Sequence, residues 1–210
     1  GNNNVAGILD KLDDAGIMTN VAFIGKVQSV GDKGWNLAGI ASEIYRGNLN
    51  KAYADVELKG LNTRAGAIVG HLAHDFNPRD VGAWSNVRNS VAKGTIDVAR
   101  GDVGGLIGKD WPWGTIDNNI SLVNVKRGDI FFGSNDMDDE FVSNWIKPNN
   151  ATVIGVSSGD KTHKQSSKIK EISQVEADKK SKDMGITADT FEVTEHLVDK
   201  LNRRILRDEE

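Results

Sequence analysis

The chain has 210 residues, with 26 Lys and Arg against 30 Asp and Glu, a net charge of −4 and no cysteine. The missing cysteine excludes disulfide scaffolds, thiolate zinc sites and cysteine nucleophiles. The slightly acidic balance argues against nucleic acid as a partner, because binding a phosphate backbone needs a concentrated basic surface. No run of about 18 apolar residues occurs, so we expect no membrane span. The start, GNNNVAGI, carries neither an initiator Met nor a signal peptide, and we therefore expect a piece of a longer polypeptide.

A short motif of small and apolar residues recurs four times in the first 130 residues. Its third positions fall at residues 7, 39, 67 and 105, which gives steps of 32, 28 and 38 residues. After a polar segment, each copy is followed by a second apolar run that opens at Asn20, Asn50, Asn89 or Asn119. The four copies are VAGILD at 5–10, LAGIAS at 37–42, AGAIVG at 65–70 and VGGLIG at 103–108.

Short, β-branched apolar stretches flanked by glycine are typical of strands. A unit of two such strands cannot bury its own inner face, so successive units must stack. Glycine permits close approach and left-handed bends, and asparagine tolerates such bends and can form stacked amide ladders. The repeat therefore predicts a mainly β protein with some α: a short parallel β-helix (β-solenoid) over residues 1–134, followed by a helical C-terminal segment.

The third and fourth units carry the polar inserts that are richest in aromatic residues. Inserts in a stacked repeat gather on one side and commonly form its contact surface. Two interpretations stay open: an aromatic surface for a partner, or a lid folded over the core. The residues concerned are Phe76, Arg79, Trp84, Trp111 and Trp113.

Three other patterns invite a chemical interpretation and favour an ordinary structural one. His71, His74 and Asp75 lie within five residues, but no third ligand for a metal is evident and we interpret the two His as loop or surface residues. The segment 104–109, GGLIGK, lacks the leading Gly and the final Ser or Thr of a phosphate loop. The acidic run 135–140, NDMDDE, has no Gly at the sixth position that a calcium loop needs and is better interpreted as the start of a helix.

The C-terminal part has a different composition, since 23 of its last 51 residues are charged. We predict a capping helix and linker over 135–159, with the helix at about 136–146, and a charged helical connector over 160–210. In the connector, Ser173 and Glu176 form a capping box and Gly185 is a suitable stop, which predicts a helix over 174–184. A second helix is predicted to open at Asp189 or Thr190 with an apolar stripe that extends to residue 205.

The letters GLIG at 105–108, within the repeated pattern, resemble the GLUG motif of repeat regions in bacterial surface proteins. The segment 65–129, from AGAIVGHLAHDF to SLVNVKRGD, resembles the region upstream of the catalytic domain in the immunoglobulin A-cleaving zinc metalloproteases of Gram-positive cocci. Residues 173–189 also resemble the connector that precedes their protease domain. The third unit departs from the motif with Ala67 in place of its first Gly, and the first two units lack its closing Gly.

The resemblance implies a secreted or cell-wall-attached parent enzyme that cuts the antibody hinge. Such enzymes hold zinc in a His-Glu-x-x-His helix, and none of the four His of this chain has that spacing. We therefore expect a non-catalytic recognition or support module with no cofactor of its own, the zinc belonging to the parent. Its expected partners are the immunoglobulin A heavy chain, the protease domain of the same chain, or both. The alternative is a free-standing, adhesin-like β-solenoid that binds a host glycan or matrix protein.

Overall fold

The chain is described here from a computed structural model. The structure describes residues 4–31, 35–73, 85–110, 115–128, 132–135, 153–155 and 169–191.

Every strand pair in this part of the chain is parallel, and the strands form three sheets. The four-stranded sheet contains β1 (Val5–Ala6), β4 (Asn36–Ala38), β7 (Arg64–Gly66) and β11 (Val103–Gly104). The five-stranded sheet contains β2 (Leu9–Asp13), β5 (Ala41–Tyr45), β8 (Val69–Ala73), β12 (Ile107–Asp110) and β15 (Phe132–Asn135). The eight-stranded sheet contains β3 (Ile17–Gln28), β6 (Asn48–Asn62), β9 (Asn86–Arg88), β10 (Val91–Arg100), β13 (Thr115–Asp117), β14 (Ile120–Val125), β16 (Val153–Gly155) and β17 (Ile169–Glu171).

The register of the strands follows the four sequence units. In the four-stranded sheet Val5 pairs with Leu37, Leu37 with Ala65, and Ala65 with Val103, which are the steps predicted from the motif. The apolar residue of the motif also lies beside its equivalents, because the Ile68 amide donates to the Leu106 carbonyl at 3.0 Å. Each unit therefore contributes one strand or strand pair to each sheet, in sequence order.

The turn between the first two sheets explains the closing glycine of the motif. A Cβ on Gly108 would lie 2.5 Å from the Ala65 amide nitrogen and 2.5 Å from the Gly70 carbonyl oxygen, closer than any side chain can approach. In the first two units this position is Asp10 and Ser42, and the Ser42 hydroxyl donates to the Asp10 carboxylate at 2.8 Å. The departures from the motif are thus linked by a hydrogen bond between neighbouring units.

A column of left-handed residues marks the bend within the large sheet. Asn20, Lys51, Asn89 and Asn118 have φ values of 54°, 58°, 50° and 52° and occupy equivalent places in the four units. The prediction was right for the first and third units and wrong by one residue for the second and fourth, where it placed the bend at Asn50 and Asn119. Asn and Lys alternate there because the bend needs only one residue that tolerates positive φ.

Asparagine side chains connect the units at this bend, as expected. Asn118 Nδ2 donates to Asn89 Oδ1 at 2.7 Å, and Asn89 Nδ2 donates to Asn50 Oδ1 at 2.8 Å. Asn119 is buried and replaces a ladder bond, accepting from the Ser90 amide at 2.9 Å and donating to the Val87 carbonyl at 2.8 Å. The amides therefore satisfy backbone groups where the bend interrupts the sheet.

The sheets extend beyond the four units of the sequence prediction. Phe132, in β15, pairs with Ile107 of the fourth unit. Ile154, in β16, pairs with Ile120, and β17 adds to β16. The helix predicted at about 136–146 lies outside the described residues.

The C-terminal helix has the predicted limits. Helix α1 (Gln174–Met184) begins after Ser173, whose side chain accepts from the Glu176 amide at 3.2 Å, and ends at Gly185 in the left-handed conformation. Residues 188–191 are also helical, so the second helix begins slightly earlier than predicted, and its continuation to residue 205 lies outside the described residues. No helix in the described part of the chain is long and apolar enough to cross a membrane.

The segment 172–191, which we call the strap, packs on the large sheet. Its target is a column of four outward-facing residues that pair with one another in register, Ala22, Tyr53, Val91 and Ile120. The strap contributes Ile172, Ala177, Ile186, Met184, Ala188 and Phe191 to this second apolar cluster. The strap therefore covers one stripe of the sheet and leaves the first core cluster, between the sheets, to the strands themselves.

Candidate functional site

The five residues predicted to bind a partner lie outside the described residues, and the structure describes how their segments are attached. The segment with Phe76, Arg79 and Trp84 leaves β8 and returns at β9, and the segment with Trp111 and Trp113 leaves β12 and returns at β13. Leu72 pairs with Asp110 before the two segments, and Asn86 pairs with Thr115 after them. Both segments are therefore rooted at one corner, on neighbouring units.

The same corner is a short turn in the first two units. There β2 is followed by β3 through Asp14 and Ala15, and β5 by β6 through Arg46, all three with positive φ. The Ala15 amide donates to the Arg46 carbonyl at 2.9 Å, so the two turns are stacked. The insert of the third unit is visible in the register: the step from the second unit is 28 residues before the corner and 38 residues after it.

A buried serine closes the base of the longer insert. Ser85 Oγ donates to the Ala73 carbonyl at 2.7 Å and accepts from the Arg46 amide at 2.8 Å. One hydroxyl thus joins the residue where the insert leaves, the residue where it returns and the turn of the unit below. Sequence reasoning missed this residue. Its signal was the apolar residue two positions later, Val87, which aligns with Leu49.

A cationic and aromatic edge adjoins the corner. Lys11 Nζ lies 4.5 Å from the centre of the Tyr45 ring and the Arg46 guanidinium lies 5.7 Å from it. Arg46 also pairs with Asp14 at 2.9 Å, and Lys11 with Asp13 at 2.8 Å. Such cation–ring contacts at an exposed site are worth about 0.5–1 kcal/mol each, so they order the edge rather than fix the fold.

A polar column runs along the five-stranded sheet from this edge. Lys11, Glu43, His71 and Lys109 occupy paired positions in the four units. Glu43 lies 3.6 Å from Lys11 Nζ through one carboxylate oxygen and 3.5 Å from His71 Nδ1 through the other. The hydrogen bond from His71 lowers the pKa of Glu43, assisted by Lys11 and opposed by burial.

His71 has a different role from the one predicted. It is buried in strand β8, whereas the sequence indicated a loop or surface His. Its Nδ1 atom faces the Glu43 carboxylate, an acceptor, and the Arg64 guanidinium 3.5 Å away, a donor. His74 and Asp75 lie outside the described residues. Within the described ranges no three His, Cys, Asp or Glu side chains are grouped as metal ligands would be.

The glycine-rich segment 104–109 forms two strands of different sheets with a turn between them. Gly104 ends β11, and Lys109 is a buried residue of β12 that pairs with His71 and Ser134. A phosphate loop instead places its Lys at the N-terminus of a helix. This geometry agrees with the rejection of a nucleotide site from the sequence.

Comparison with known proteins finds a large zinc metalloprotease. Over 181 residues, 85% of this chain, the sequence is 38% identical to a segment that makes up 9% of that protein. The relative is the zinc metalloprotease ZmpB of Streptococcus pneumoniae serotype 4. The chain thus spans less than a tenth of its length. No protein-family model matches the chain, and no solved structure matches it.

Proposed function

We propose that the chain is a non-catalytic recognition or support module of a secreted or cell-wall-attached zinc metalloprotease that cleaves immunoglobulin A in its hinge. The observation that carries this proposal is the 38% identity with part of a zinc metalloprotease along 85% of the chain. The segment matched is 9% of that protein, which leaves ample length for a catalytic domain elsewhere. The sequence itself contains no His-Glu-x-x-His, so zinc would be held by the parent and not by this chain.

The architecture of the module in this proposal is a short parallel β-helix of GLUG-like units. Three all-parallel sheets, to which each unit contributes in sequence order, support it. So does the constant register inside the sheets across units of unequal length. A stacked repeat of this kind gives a rigid body from which loops of different length project.

The partner surface in this proposal is the corner that bears the two inserts. Trp84, Trp111 and Trp113 would supply the aromatic contact area, with Phe76 and Arg79 beside them. The support is that both inserts are rooted on neighbouring units and that Ser85 closes one of them at its base. Tryptophan and arginine dominate the binding energy of many interfaces, and aromatic rings are suited to Pro-rich extended segments such as an antibody hinge.

A binding titration tests the proposal. The chain is titrated with intact immunoglobulin A and with the protease domain of the parent, and its zinc content and proteolytic activity are measured. We expect binding to at least one of the two partners, which the Trp111→Ala, Trp113→Ala double variant weakens about tenfold or more, with the melting temperature unchanged. Trp35→Ala is the matched control, because Trp35 is 57% exposed and lies just before β4, in a unit without an insert.

Three results would reject the proposal in different ways. Stoichiometric zinc or cleavage of the antibody by the isolated chain would make it catalytic. Binding of a glycan or a matrix protein, with neither expected partner bound, would favour the adhesin alternative. Loss of folding in the double Trp variant would mean that the two rings cover the core.

A further inference from the structure

The strands of the first unit lie at the same end of all three sheets. Strand β1 is the terminal strand of the four-stranded sheet and β2 of the five-stranded sheet. Strand β3 pairs with β6 along one side, and no described strand pairs with its other side. The described part of the chain therefore ends in a continuous open edge, which we call the first-unit edge.

Apolar residues are concentrated at this edge. Ile8 is 43% exposed, although the equivalent residues of the next three units, Ile40, Ile68 and Leu106, are fully buried. Ile8 thus begins an interior column of stacked side chains and is covered on one side only. Six of the seven large hydrophobic residues exposed in the described ranges lie between residues 8 and 61, in the first two units.

The outer face of β3 shows the same departure from its neighbours. Ile17 is 76% exposed and Ile24 is 58% exposed, and their partners in the second unit are the polar residues Asn48 and Asp55. From Ile17 to Gly25 the strand carries no charged residue. Natural edge strands that stay unpaired are commonly short or protected by charge or proline, and β3 has 12 residues.

We propose that the first-unit edge binds a further turn of the same repeat type: an extended polypeptide that pairs parallel to β1, β2 and β3 and continues the interior columns. The existing interfaces between units argue for this occupant. A strand added in parallel register lies about 4.8 Å from β3, which places an apolar residue over Ile8 and side chains beside Ile17 and Ile24. A second copy of the chain fits less well, because two-fold symmetry would pair β3 with itself in antiparallel register.

The test adds such a turn to the whole chain. Residues 36–63 are duplicated in front of residue 4, so that the added Asn36 lies on Asn4 as the native Asn36 lies on Arg64. We expect the β3 amides to exchange with solvent about tenfold more slowly or less and the melting temperature to rise. One matched control carries a scrambled copy of the added unit, and the other carries Ile44→Asp within the added unit, since Ile44 is fully buried in the native one. Neither control should give the protection.

Two outcomes would overturn the inference. In the first, the added unit remains unfolded and the β3 amides exchange as in the parent chain. In the second, the unextended chain forms a dimer in light scattering that Ile24→Lys dissociates, which would make the edge a contact between copies. The protease assignment does not enter this experiment, so its failure and that of the proposed function are separate.

Discussion

The Tyr53 ring of strand β6 stacks on the Phe191 ring of the strap, with ring centres 6.0 Å apart and planes inclined by 25°. Tyr53 is almost fully buried under this contact. Burial raises the pKa of Tyr53 to about 12, with smaller contributions from the negative charges of Asp55 and Asp189. The stack therefore joins the strap to the sheet and also makes the contact sensitive to alkaline pH.

Alkaline pH should weaken the protein through Tyr53. A pKa raised from 10 to about 12 means that the folded state keeps a proton that the unfolded chain loses. The stabilisation is complete below pH 10 and declines by about 2 kcal/mol as the pH rises to 12. Urea unfolding at several pH values should show this decline, and Tyr53→Phe, which cannot ionise, should flatten it. An equal decline in the variant would contradict the assignment to Tyr53.

Ser85→Ala should destabilise the corner by about 1–3 kcal/mol, because it leaves the Arg46 amide and the Ala73 carbonyl without their buried partner. Ser121→Ala is the matched control. Ser121 is also buried, and its hydroxyl has no hydrogen-bond partner, so its removal should be neutral or slightly stabilising. Thermal unfolding of both variants measures the difference. Equal effects would mean that the Ser85 hydroxyl does not hold the insert.

Lys51→Asn should stabilise the protein by about 0.5–1 kcal/mol, since Asn adopts positive φ at lower cost than Lys. The side chain is exposed and lies in a column that has Asn in the other three units, so the substitution disturbs no buried contact. Lys51→Ala is the comparison, because it removes the same charge without the asparagine's tolerance of this conformation. A gain of the same size in the Ala variant would assign the effect to charge.

Acid should weaken the column of Glu43 and His71. The pKa of Glu43 lies below its usual 4.5 in the folded protein, so its contribution is present above pH 4.5 and is lost as the pH falls through the folded value. Asp13 titrates in the same direction, beside Lys11. Comparing Glu43→Gln with the parent chain isolates Glu43: the variant should be less stable near neutral pH, and the difference should shrink in acid. A constant difference at every pH would show that the loss is not electrostatic.

Local chemistry explains which elements the sequence could predict. Helix α1 was placed to the residue because Ser173, Glu176 and Gly185 act through the neighbouring backbone alone. The unit steps were also predicted correctly, because the motif puts small residues where backbones approach closely. The bend was placed one residue away in two units because Asn50 precedes Lys51 and Asn118 precedes Asn119, and either member of each pair satisfies the composition rule.

The rest depended on contacts distant in the chain. Tyr53, Val91 and Ile120 lie in apolar runs, and a run that is apolar on both faces does not reveal which face another element covers. The docking of the strap was therefore not foreseen. The burial of His71 was missed for the same reason, since its surroundings come from Glu43 and Arg64 in neighbouring units. The aromatic partner surface stays a prediction, because its residues lie outside the described part.

The corner closed by Ser85 has a consequence for protein engineering and for natural variation. The ten residues gained there between the second and third units leave the strand register on both sides intact. Length at this place is thus uncoupled from folding, and a foreign peptide spliced between Ala73 and Ser85 would be displayed without disturbing the scaffold. Selection can likewise change what this corner meets while the hydrophobic interior stays the same.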